Sequence, residues 1–576
     1  MSSFFTIPSS QKKRKRPDAQ SEPPKKRLAS SKPVKESKPA RKPRKERDES
    51  ISGSEGEDSL ADAPRDDDAE SITSASSDGE GETAAERRLR LAERYLENIR
   101  TEVDEHGFDA EEIDRDLIAE RLQEDAAESK GKLYRQLVDE LEFGQATKCV
   151  WRWNSDSVTG VAINVPWAYT VTKDLGLAKW KIQELPEHQW PPKNGKKKSK
   201  KSKPPPKRKP EQVAFVKGNS KKSKDNSYQG HVDTILCVAA SQDGKFVVTG
   251  GKDRRIIVWN AETLKCLRVF SQHRDAVTRL AFRRGTNQLY SSSKDRTIKI
   301  WSLDELAYIE TLFGHQDEVV DVAALAQERC ISVGARDRTA RLWKVVEETQ
   351  LVFRGGGGEK KSSKHSHQTK TQEGSIDRVA MIDEEMFVTG SDNGSLSLWA
   401  IHKKKPVFTL PLAHGVEEQM TPEEYSAEAN PDPSIVPAPS PRWITALATI
   451  PYSDVILSGS WDGSVRAWRV SGDKKKLEAV GVVGEGGIVP GANGQANRNR
   501  KEDDGEHGAV RGVVNDISVF ERGDRGKDGV CVVVALGKEH RFARWKSVKG
   551  KNGGVVFEIP KAQKTNGVAA PVDEEE

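Results

Sequence analysis

The chain has 576 residues, of which 32% are charged and 35% hydrophobic, with a formal net charge of +5. That polarity excludes one globule packed from end to end, so long polar segments must flank or interrupt a folded part. No apolar run approaches the ~20 residues of a membrane span or forms a secretory leader. The five cysteines (Cys149, Cys237, Cys266, Cys330, Cys531) show no metal-ligand spacing, the pattern of reduced thiols in an intracellular protein.

Residues 1–83 read as a disordered tail, basic and then acidic and Ser-rich. Neither half can bury enough apolar surface to fold alone. Lys12, Lys13, Arg14, Lys15 and Arg16, followed by Pro17, form one cluster. Lys25, Lys26 and Arg27, preceded by Pro23 and Pro24, form a second. Such clusters fit a nuclear import receptor, and the plain alternative is a solvated tail. Residues 84–142 switch to helical periodicity, with Ala92, Tyr95, Leu96, Ile99 and Val103, then Ile113, Leu117, Ile118, Leu122, Leu133, Leu137 and Leu141. These stripes need a partner, either the folded part that follows or another protein.

From Thr147 the period becomes strand-like, and three copies of one pattern follow. His231, Thr249, Asp253 and Trp259 make the first, and His273, Ser291, Asp295 and Trp301 the second. The third has His315, Asp337 and Trp343, with Val333 in the hydroxyl position, so a shorter network is expected there. In each copy His precedes Trp by 28 residues and Asp precedes Trp by 6, and copies start 42 residues apart. A period near 40 with these landmarks is the WD-repeat signature, one four-stranded blade of a β-propeller per copy. Asp, His, hydroxyl and indole N–H can form a chain of hydrogen bonds, each removing a buried-polar penalty of about 1–3 kcal/mol. Because the set recurs blade after blade, its His–Asp pairs read as structural rather than catalytic.

Weaker copies end at Trp180, Trp399, Trp468 and Trp545, giving seven blades across residues 143–560 and an all-β propeller. Polar insertions are expected near 183–226, 355–373, 413–440 and 472–510, and a further disordered tail at 561–576. Closing the ring needs one more strand, from Thr147–Trp151 or from Val555–Ile559. No phosphate loop, metal cluster or nucleophile set emerges, so the reading is a non-enzyme with no cofactor, small-molecule substrate or membrane partner. Cations instead recur at one position, beside the turn Asp. Lys252 and Arg254, Lys294 and Arg296, Arg336 and Arg338, with Lys173, Lys538 and Arg541, predict a basic arc that tracks phosphates. A merely solvated face is the alternative.

Several segments are more specific than the generic repeat: Ala281–Tyr290, Leu312–Asp317, Gly374–Asp377, Gly537–Arg541, Glu93–Leu96 and Ile118–Leu122. In these the chain resembles the WD-repeat protein family of the U3 small nucleolar ribonucleoprotein, part of the small-subunit processome. The resemblance implies binding to U3 small nucleolar RNA at its B/C motif, beside a kink-turn-binding protein and other processome proteins. It also implies a nuclear, nucleolar role in early pre-ribosomal RNA cleavage and small-subunit biogenesis. Two rivals are a nuclear scaffold that binds peptides at the channel mouth and a ubiquitin-ligase substrate receptor. The residues after the blade tryptophans (Asn260, Ser302, Lys344, Ala400, Arg469, Lys546) lack the Asp-Arg step such receptors carry.

Overall fold

The computed structural model describes residues 134–152, 156–185, 208–225, 227–355, 374–417, 439–484, 512–523, 526–544, 546–548 and 550–562, with isolated positions elsewhere. Both import clusters, Trp545 and most of the inserted segments lie outside these residues.

Seven four-stranded antiparallel sheets form the fold. Blade 1 contains β2 (Val158–Asn164), β3 (Trp167–Thr172), β4 (Gly176–Lys181) and β5 (Glu211–Lys217). Blade 2 contains β6 (Ile235–Ala240), β7 (Phe246–Gly251), β8 (Ile256–Asn260) and β9 (Cys266–Phe270). Blade 3 contains β10 (Val277–Phe282), β11 (Gln288–Ser293), β12 (Thr297–Ser302) and β13 (Ala307–Phe313). Blade 4 contains β14 (Val319–Ala324), β15 (Arg329–Gly334), β16 (Thr339–Lys344) and β17 (Thr349–Arg354). Blade 5 contains β18 (Ile376–Met381), β19 (Met386–Ser391), β20 (Leu396–Ala400) and β21 (Phe408–Leu410). Blade 6 contains β22 (Ile444–Thr449), β23 (Val455–Ser460), β24 (Val465–Val470) and β25 (Leu477–Val482). Blade 7 contains β26 (Val513–Glu521), β27 (Val530–Gly537), β28 (Gly553–Ile559) and, from the start of the propeller, β1 (Thr147–Arg152).

Both candidate closing strands are therefore used. Val555–Ile559 lies in the third strand of blade 7, and Thr147–Arg152 pairs with it as the fourth. The expectation that Trp545 ends the third strand is corrected, because that strand is Gly553–Ile559. Val556 stands opposite Val533 where other blades have Trp, and Trp151 from β1 packs beside it in the same buried cluster. The insertions are also shorter than expected. Residues 211–217, within the expected 183–226 insertion, are β5, and residues 477–482, within 472–510, are β25.

Tyr134–Ala146 form a strap across blades 6 and 7. Leu137 and Val138 donate backbone N–H bonds to Asp454, Arg135 pairs with Glu521, and Val138, Leu141 and Phe143 are buried in the cluster between these blades. The later part of the 84–142 segment thus packs on the propeller. Ile118 and Leu122, at helical positions earlier in it, stay exposed.

The seven innermost strands share one irregularity. Each carries a register shift at the same place, ahead of Gly160, Cys237, Arg279, Asp321, Arg378, Ala446 and Asp516. Such bulges re-aim one side chain per strand. Here they gather opposite charges from different blades. Arg279 pairs with Asp516 at 2.8 Å and with Asp321 at 3.3 Å, and Arg378 lies 3.8 Å from Asp321. Burial opposes the Arg279 charge, but the two carboxylates outweigh it and raise the guanidinium above its ordinary value.

Candidate nucleic-acid interface

The connection entering each regular blade and the turn between its second and third strands lie on one face, because the His of the former bonds the Asp of the latter. His231 Nδ1 meets Asp253 at 3.0 Å, its Nε2 meets Thr249 at 2.7 Å, and Trp259 donates to the same hydroxyl at 2.8 Å. His273, Asp295, Ser291 and Trp301 repeat this at 2.9, 2.8 and 2.8 Å.

The expected shorter network in blade 4 is overturned. Ser332, not Val333, supplies the hydroxyl, bonding His315 at 2.7 Å and Trp343 at 2.8 Å. The His-to-hydroxyl separation is 17 residues instead of 18, and hydroxyl-to-Trp 11 instead of 10. One residue has moved from the first hairpin into the following turn, and the overall spacing hides the shift. A fourth complete set was missed. His414 bonds Asp462 at 3.2 Å and Ser458 at 2.8 Å, and Trp468 donates to Ser458 at 2.8 Å. His414 stands 48 residues before its Asp instead of 22, because inserted residues separate it from its blade.

These networks make stability pH-dependent. Burial pushes the His273 and His414 imidazoles down, so both are neutral in the folded state. Burial raises Asp295 and Asp462, but the His273 and Thr297 bonds to the first and the His414 charge and bond to the second hold them well below the carboxylate range. A lowered histidine contributes stability above its unfolded value near 6.5 and loses it as pH falls. A lowered aspartate contributes above about 3.9 and loses it on further acidification. Melting temperature is therefore expected to fall between pH 7 and pH 5 and again below pH 4. A flat profile from pH 7 to 5 in thermal denaturation contradicts the neutral histidines.

The residue after each turn Asp has a left-handed backbone: φ is 65° at Arg254, 67° at Arg296 and 53° at Arg338. The same position holds Leu175, Gly394 and Gly463 in blades 1, 5 and 6. Glycine suits this conformation, whereas the three arginines strain it.

Of the expected arc, Lys252, Arg254, Arg296, Arg336, Arg338 and Lys538 are exposed, and the first five form a contiguous group on blades 2 to 4. Lys294 is half-buried and paired with Glu318 at 2.8 Å. Two members are not surface cations. Lys173 is buried, bonding Glu539 and the Ala543 carbonyl, and Arg541 is only 2% exposed. The face also carries Asp233, Asp275 and Asp317 in the entering connections, which thin the positive field, and exposed Arg274, which restores part of it. Sequence reading passed over these four because they adjoin the His positions rather than the turns.

Arg541 belongs to a loop, residues 538–552, that leaves blade 7 and reaches across the channel mouth. Its guanidinium donates to the Thr278 and Val320 carbonyls of blades 3 and 4. Burial and the neighbouring Arg378 cation pull it down to about 9, leaving it charged at neutral pH. His540 packs among Trp443 and Trp461 of blade 6, 4.6 and 6.1 Å between ring centroids. Burial pushes its imidazole well down. This loop occupies the mouth where the scaffold reading places a peptide.

The WD domain, G-beta repeat family matches residues 222–260, 264–302, 307–344 and 436–469. Fold and repeated network together define a seven-bladed WD-repeat propeller. Ribosomal RNA-processing protein 9 of Saccharomyces cerevisiae is 34% identical over 83% of this chain and 89% of its own length. The human U3 small nucleolar RNA-interacting protein 2 is 36% identical, covering 82% of each chain. The crystal structure of the RRP9 WD40 repeats superposes with a TM-score of 0.53 at 29% identity, covering 73% of this chain and all of that one. The chain belongs to the family of WD-repeat proteins associated with the U3 small nucleolar ribonucleoprotein.

Proposed function

We propose that the protein is a non-catalytic component of the U3 small nucleolar ribonucleoprotein, working in the nucleolus. It binds U3 RNA in the B/C motif region beside a kink-turn-binding protein, and supports early pre-ribosomal RNA cleavage leading to the small subunit. The kinship with a U3 small nucleolar RNA-interacting protein over 82% of both chains carries this reading. The exposed Lys252, Arg254, Arg296, Arg336 and Arg338 on three adjacent blades support it physically. They are anchored by rigid turns, so a guanidinium can grip phosphate oxygens without disturbing the buried network.

Crosslinking followed by RNA sequencing tests the assignment, with U3 RNA as the expected dominant species and its absence favouring a protein scaffold. The arc has its own test. Changing Arg254, Arg296 and Arg338 together to Gly removes three charges while suiting the left-handed backbone, so the fold should hold or gain stability. RNA affinity should fall, and the slope of log affinity against log salt should flatten by up to about 3, roughly 0.9 for each lost phosphate contact. Unchanged affinity and slope show the arc to be a solvated face.

A further inference from the structure

We propose that Phe313 is a base-stacking platform for single-stranded RNA, set within the basic arc; this rests on the RNA-binding reading above. The ring ends β13 and is 70% exposed. A large apolar side chain left open to water on a rigid strand needs a reason. The positions two residues before the network histidines of blades 2 and 3 hold polar Gln229 and Ser271, and His315 of blade 4 has Phe313 instead. Nothing in the fold requires an aromatic there, because the neighbouring Leu312, opposite Ile298, fills the inward-facing site.

The surroundings are cationic. Phe313 lies directly opposite Thr297 across β12 and β13, so Arg296 is the next residue beyond that pair. Exposed Arg274 enters from the connection ahead of blade 3, and Arg336 and Arg338 follow on blade 4. Asp275 and Asp317 are the acidic groups on the same connections. A fixed aromatic face beside anchored guanidinium groups is what a flexible nucleotide strand needs. The base stacks on the ring, and the flanking phosphates meet the arginines. Stacking accepts any base, so this site adds affinity and holds an unpaired nucleotide without reading sequence.

The test uses the full chain and a fluorescein-labelled twelve-residue oligouridylate, measured by anisotropy across a salt series. Phe313→Ala should melt at the parent temperature, because the ring is exposed, yet bind about tenfold more weakly. Its salt slope should match the parent, because no phosphate contact is lost. Phe313→Trp should restore or exceed parent affinity. The Arg254, Arg296, Arg338 triple Gly variant should instead lower the slope. If Phe313→Ala binds as the parent does, the platform is overturned while RNA binding stands, and the ring becomes an anchor for a protein. If the parent chain shows no salt-dependent RNA binding, both readings fall.

Discussion

A chain lacking residues 1–152 is expected to be insoluble or unfolded, whereas one lacking only 1–133 should melt like the full protein. The difference is β1. It pairs along β28 from Thr147 with Glu558 to Arg152 with Gly553, so its removal opens an edge on blade 7. Such an edge presents a row of unpaired backbone groups and invites aggregation. Trp151, 5% exposed, would go with it, and deleting a core Trp side chain costs about 3–5 kcal/mol. The cut also takes the strap, whose Val138, Leu141 and Phe143 each contribute about 1.5–3 kcal/mol by burial. Removal of 1–146 should give an intermediate melting temperature, because the strap is lost and the closing strand kept. Solubility and thermal melts of the three truncations decide. A soluble, cooperatively melting chain without 1–152 would show that closure is dispensable.

Replacing Asp516 with Ala should destabilise the propeller by about 3–5 kcal/mol, because it strands buried positive charge. Asp516 is 1% exposed, accepts from Arg279 at 2.8 Å and from the Val161 backbone at 3.2 Å, and so ties blades 7, 3 and 1 together. With it gone, Arg279, Arg378 and Arg541 face Asp321 alone in the charge cluster at the channel. The double variant Arg279→Met, Asp516→Leu should recover much of the loss, since an apolar pair avoids the desolvation of both ions. Chemical denaturation of parent, single and double variants measures this coupling. Equal stability of Asp516→Ala and the parent would mean that the channel charges are solvated and independent.

The same cluster shows why some of the site was illegible in the chain. Arg279, Asp321, Arg378 and Asp516 lie far apart in sequence, and each looks like an isolated charge on a strand. Only the shared bulge and the closing of the ring bring them together. Arg541 follows the same logic. Beside Glu539 it resembled the turn arginines, but its loop is long enough to cross the mouth and bury the side chain against carbonyls of blades 3 and 4. The turn arginines kept their predicted exposure because their turns are short, which leaves the side chain nowhere to go.

By itself the sequence determined the repeat, the blade count and the networks of blades 2 and 3, because each is a local pattern with a fixed spacing. It also determined that cations recur beside the turn aspartates. Tertiary structure alone decided the rest. Ser332 replaces Val333 because two length changes inside one blade cancel in the count. His414 joins Asp462 because an insertion separates them along the chain but not in space. Residues 147–152 complete blade 7 because a ring must pair its last edge with its first free strand, and no local interval along the chain records that meeting.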